Sequence, residues 1–104
     1  MIVSEITKNS CGEVVGFCVR NHGESVVCAA VSMLVLNTVN SIEAFTDDDY
    51  NCEYNEDGGY LKFALITETA STAIVVLLKS LELGLTSTKD NYPEEISIKY
   101  FERK

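Results

Sequence analysis

The sequence predicts one small α+β domain over residues 1–104, in the order ββ-α-ββ-α-β, with a single mixed or antiparallel sheet covered by two helices. Three observations lead there. Five short stretches alternate apolar and polar residues or are rich in Val, Ile, Phe and Tyr, as half-buried strands are. Two longer apolar stretches are bounded by residues suited to helix ends. No linker or internal repeat divides the 104 residues, 46% of them hydrophobic, so one core is expected. Each helix must bury an apolar face, and one shared sheet is the simplest partner for both.

The elements follow in order. Residues 2–8, IVSEITK, alternate and read as a strand. Asn9 to Gly12 make a turn, and residues 13–20, EVVGFCVR, form a second strand paired with the first as a hairpin. Asn21 to Glu24 are a loop. Ser25 is a suitable N-cap, because its hydroxyl accepts an orphan backbone N–H, and the helix it opens runs to about Phe45. The first half of that helix is apolar on nearly every face, which calls for deep burial or a second subunit. Tyr50 to Asn55 and residues 60–66, YLKFALI, form another strand pair about a Gly-rich turn. A second helix is expected over Thr69 to Leu83, with Gly84 at C′ and Leu85 closing a Schellman motif. EISIKYF, residues 95–101, is the last strand.

Charge and composition narrow the function. The net charge is −8, which argues against direct nucleic-acid binding, because such binding needs Lys and Arg to neutralise phosphates. An acidic surface suits a basic protein partner instead. The N-terminus lacks the pattern of a signal peptide, and no unbroken apolar run reaches the ~18 residues of a membrane span. A cytoplasmic protein without a membrane partner is expected. The four cysteines, at 11, 18, 28 and 52, then read as free thiols. They contain no C-x-x-C pair, which speaks against a zinc site, although Cys18, His22 and Cys28 offer three donors.

The stretch NHGESVVCAAVS, residues 21–32, carries the candidate chemistry. With Ser25 as N-cap, Cys28 is N3. Backbone N–H groups there lack intrahelical acceptors and the helix dipole favours negative charge, so a thiolate is stabilised. His22, the one histidine of the chain, lies in the loop feeding the helix, where it can fold back toward the sulfur. Ser25, Cys28 and Ser32 share a helix face. Ala29 is small enough to let another backbone approach, and its N–H, with that of Cys28, can hold an oxyanion. The competing reading is an inert buried cysteine beside an ordinary loop histidine.

The run GFCVRNHGESVVCAAVSML, residues 16–34, is similar to the signature of the Prp family, the ribosomal-processing cysteine proteases also known as YsxB-like proteins. That signature reads approximately G-F-x-V-x-G-H-A, a loop, then G-x-D-I-V-C-A-A-V-S. NTVNSIE, LLKSLELGL and NYPEEISI extend the resemblance along the chain. It implies a cysteine endopeptidase that removes the N-terminal extension of a large-subunit ribosomal protein, with Cys28 as nucleophile, His22 as general base and Ser32 as the serine after the nucleophile. It implies no metal or organic cofactor, and a homodimer, for which the first helix or an adjoining strand edge is the expected surface. Three positions depart from the pattern. Asn21 replaces the glycine before the histidine. Ser25 replaces the aspartate three positions before the nucleophile. The loop after His22 is shorter by several residues, too short for a lid, so a connector ordered without substrate is expected. These departures keep a second reading open: the same fold binding a ribosomal protein or assembly factor without cleaving it.

Overall fold

Strand β1 (Ile2–Lys8) turns Ile2, Ser4 and Ile6 to one face, where they are buried, and Val3, Glu5 and Thr7 to the other. The computed structural model describes residues 1–21, 26–55, 60–66 and 70–103. After β1 the Asn9 carboxamide oxygen accepts from the backbone N–H groups of Cys11 and Glu13 at 3.0 and 2.9 Å. Gly12 takes a left-handed φ of 80°, which a residue without a side chain adopts at little cost. This turn aligns β2 (Val14–Arg20) antiparallel to β1, with Ile6 opposite Phe17 and Ser4 opposite Val19.

The second hairpin, β3 (Tyr50–Asn55) and β4 (Tyr60–Leu65), joins through β4, which runs antiparallel to β2 and sets Phe63 opposite Phe17. The last strand, β5 (Ile96–Glu102), returns parallel to β1, giving the order β3-β4-β2-β1-β5. The sheet is therefore mixed, as expected. Helices α1 (Val26–Phe45) and α2 (Thr72–Asn91) share one core with Ile2, Ile6, Phe17, Val19, Leu61 and Phe63. Each such large side chain contributes about 1.5–3 kcal/mol on leaving water. Phe17 stacks on Phe63 and Phe63 on Tyr50, with ring centroids 5.2 and 5.1 Å apart, and the Tyr50 hydroxyl donates to Glu43 of α1.

The end expected for the second helix needs correction. Gly84 does not end the second helix, which runs on to Asn91. A Cβ added at Gly84 would stand 3.0 Å from a Leu34 methyl, so the glycine marks the close approach of the two helices. Leu85, expected just past the end, lies inside the helix and is fully buried. The helix also starts later, with Ser71 as N-cap accepting from the Ile74 N–H at 3.2 Å. Helix α1 is, by length and composition alone, long and apolar enough to cross a membrane: 20 residues with a mean hydropathy of 1.6. Ser32, Asn37 and Thr38 break the apolar run without lowering that mean enough. Here its buried residues, among them Val27, Val31, Val35 and Ile42, belong to the core shared with α2 and the sheet.

Two predictions follow from this packing. Gly84→Val should force a branched side chain against Leu34 and destabilise the fold by about 1–3 kcal/mol, read as a lower urea midpoint, whereas Gly84→Ala should cost less because Ala regains helix propensity. The Asp48 carboxylate accepts from the Ser71 backbone N–H at 2.9 Å, tying the α1–β3 connection to the start of α2. Its hydrogen bonds with Ser71 hold its pKa below the ordinary 3.8. A depressed folded pKa adds stability above the ordinary value that is lost as pH falls through the lowered one. The urea midpoint of the parent should therefore fall toward that of Asp48→Asn as pH drops below about 4, with the gap widest near neutrality.

Candidate active site

Because α1 begins at Val26, Cys28 is its third residue. It thus occupies the turn whose N–H groups have no intrahelical acceptors and whose dipole end is positive. Cys28 is 7% exposed and turns inward with Val27 and Val31, while Val26, Ala29 and Ala30 face solvent. The thiol thus lies at the margin of the core, beside a helix surface of small side chains. Ser32, one turn further on, is half-buried. The structure therefore brings Cys28, Ala29 and Ser32 together at the start of α1. His22 and Ser25 lie outside the described residues.

The strands determine which end of the molecule this is. Arg20 at the carboxyl end of β2 stands opposite Val3 of β1, and Val19 opposite Leu61 of β4, while Asn55 ends β3 opposite Tyr60. The chain leaves β2 at this end and re-enters regular structure at Val26, with residues 22–25 between Asn21 and the helix. Asn21 has a φ of 64°. This left-handed conformation costs most side chains about 1–2 kcal/mol and is relieved in Gly and, in part, Asn. Asn21, standing where the Prp pattern has glycine, is a side chain that tolerates this turn. The sequence signal for it is an Asn immediately after a β-rich run, which specifies a loop but not its left-handed residue.

The other three thiols sit elsewhere. Cys11 is in the turn at the far end of the sheet and Cys52 on the edge strand β3. Cys18 alternates with the core residues Phe17 and Val19 and so points to the face away from the helices, opposite to Cys28. The trio Cys18, His22 and Cys28 therefore cannot converge on one ion, because the sheet separates its two sulfurs. Burial pushes the Cys18 thiol pKa up, the nearby Glu5 carboxylate adds to this, and Arg20 opposes both. Among the described residues no group of three His, Cys, Asp or Glu side chains is placed to hold a metal.

Comparison with known proteins bears on the whole chain. The family described as cysteine protease Prp matches residues 1–97. Ribosomal processing cysteine protease Prp of Staphylococcus aureus is 26% identical over 106 residues, covering 96% of this chain and 99% of the relative. The crystal structure of the Staphylococcus aureus essential ribosomal processing protease Prp with a covalently linked product peptide has a TM-score of 0.88 at 26% identity, again covering 96% and 99% of the two chains. The crystal structure of a Streptococcus mutans protein has a TM-score of 0.89 at 29% identity, covering 99% of this chain and 96% of the other. A match running from the first strand into the last, on the same arrangement of two helices over one five-stranded sheet, places this chain in the cysteine protease Prp family, among the hydrolases that cut peptide bonds.

Proposed function

We propose that this protease removes the N-terminal extension of a large-subunit ribosomal protein precursor, with Cys28 as nucleophile and His22 as general base. The observation that carries the reading is the seat of Cys28 in the first turn of α1, at the end of the sheet from which the His22 segment departs. Orphan N–H groups and the helix dipole favour a thiolate there, and the thiolate is the reactive form. The sulfur attacks the scissile carbonyl and His22 takes its proton. The oxyanion is held by backbone N–H groups of Cys28 and Ala29. His22 then returns the proton to the leaving amine, and water hydrolyses the thioester.

Ser32, on the helix turn after the sulfur, and Ser25, the residue before α1 in sequence, are the proposed polar neighbours. The substrate reading draws on the net charge of −8, which suits a basic ribosomal protein and disfavours nucleic acid. It also draws on the Staphylococcus aureus relative, named for ribosomal processing. The reaction would take place in the cytoplasm, where such precursors are made. With only Gly23 and Glu24 between His22 and Ser25, little chain is available for a lid, so specificity is assigned to surface charge more than to closure.

Purified protein incubated with the extended ribosomal precursor should yield the shortened product, and Cys28→Ala should reduce the rate by about a thousandfold or more. Stable binding of the precursor with no cleavage at all would favour the non-catalytic module instead. In a brief iodoacetamide pulse near pH 6.5, below the ordinary thiol pKa of ~8.5, Cys28 should label ahead of Cys18, as read by peptide mapping. Asn21→Gly should keep both stability and cleavage. Asn21→Val, strained by about 1–2 kcal/mol at a left-handed φ, should lower the urea midpoint and the cleavage rate together. Identical behaviour of the two Asn21 variants would show that the turn does not position His22.

A further inference from the structure

Arg103 directly follows β5 and reaches back across the sheet. Its backbone N–H donates to the Lys8 carbonyl at 2.7 Å, and its guanidinium donates to the Leu65 carbonyl at 3.0 Å. Leu65 ends β4, and β1 and β2 lie between β4 and β5. The side chain thus extends over two strands on the face that the helices leave open. There it closes one end of a depression of about 420 Å³, beside the irregularity of β1 at Thr7 and Lys8. The cross-strand row Ala64, Gly16, Thr7 and Phe101 runs through it. Gly16 and Ala64 give it a flat floor, because neither has a side chain past Cβ, and Phe101, 48% exposed, stands at its side.

The charges around this floor are one-sided. Lys62 stands two positions before Ala64 on β4, so its side chain rises on the same face. Lys62 and Leu65 are about 10 Å apart along the strand, so Lys62 and the guanidinium held at Leu65 bracket the floor. Among the described residues neither cation forms an ion pair, although the chain carries a net charge of −8. Glu5 is the one acid lining the depression, and Arg20 engages it. Arg103 uses one guanidinium N–H on Leu65, which fixes the group and leaves other donors of its planar fork for a ligand.

We propose that this depression binds a small aromatic carboxylate, its carboxylate shared by Lys62 and Arg103 and its ring lying on the Gly16 and Ala64 floor against Phe101. A carboxylate matches the guanidinium plane and carries the single charge that the two cations can hold. A phosphate brings more negative charge toward Glu5 in an already acidic chain, so it fits less well. The floor admits a flat ring, and Phe101 offers an aromatic partner at its edge. The volume falls in the range of small-molecule sites. The depression lies on the side of the sheet away from Cys28, and the inference does not rest on the peptidase reading.

The test is a titration of the 15N-labelled protein with sodium benzoate at constant ionic strength, followed by NMR. The amide signals of Thr7, Gly16, Ala64 and Phe101 should shift saturably, with a dissociation constant in the millimolar range expected for so small a ligand in an open site. Benzamide, the same ring without the charge, and inorganic phosphate, the charge without the ring, should each bind about tenfold more weakly. Lys62→Gln and Arg103→Gln should each weaken benzoate about tenfold, with the remaining spectrum showing that the fold is kept. Arg103→Lys, which keeps the charge and loses the planar fork, should fall between. No saturable shift at these four amides would overturn the proposal. So would benzoate binding that ignores both glutamine variants. Phosphate or benzamide binding as tightly as benzoate would overturn the ligand class, leaving a surface that takes any anion or any ring.

Discussion

The alternation of β1, β2 and β4 is the constraint on which the molecule depends. Ile6, Phe17 and Phe63 form one cross-strand row and Val19 and Leu61 another, and Ile2, opposite Ile96 of β5, alternates onto the same face. A slip of one residue would send this entire set to the other side. With the apolar face fixed, α1 and α2 have one place to bury their own apolar residues. The connection from β2 to α1 must then turn over one end of the sheet, which is where Cys28 is delivered. The site is thus a product of strand register more than of any contact near the sulfur.

Within that frame the helix pair sets the fine position of Cys28, the proposed nucleophile. Gly84 lets α2 come against Leu34, two turns along α1 from Cys28. Ser71 and Asp48 hold the start of α2 to the chain leaving α1, so the helices are tied at two separate points. A rigid α1 matters because an oxyanion site built from backbone N–H groups is only as well placed as the helix that carries them.

Much of this was legible in the sequence. The period-two runs gave every strand to within a residue or two, and the capping logic at Ser25 set the start of α1 close to its observed Val26. Gly84 was misread because a glycine followed by leucine satisfies the local grammar of a helix end. Its real cause, a Leu34 methyl of the other helix that would stand 3.0 Å from an added Cβ, is non-local and leaves no trace in neighbouring residues. The parallel pairing of β1 with β5 was hidden for the same reason. Helical spacing together with a family resemblance singles out Cys28 and Ser32 as candidates. That Cys28 turns inward, at 7% exposure, depends on the angle at which α1 meets the sheet, which spacing alone does not set.

The parallel pairing also bears on how the domain assembles. Ile2 pairs with Ile96 and Lys8 with Glu102, and the Arg103 backbone N–H donates to the Lys8 carbonyl at 2.7 Å, so the partners along this edge of β1 lie more than ninety positions away. Hairpins β1–β2 and β3–β4 can close early, since their turns are short. The outer edge of β1 must wait for nearly the whole sequence to be present. Until then the core lacks Ile96, and β1 offers an unpaired edge to any extended chain nearby. Contacts of such long sequence separation slow folding, so the last strand behaves as a latch: the domain reaches its finished sheet in a late step, dominated by loop closure.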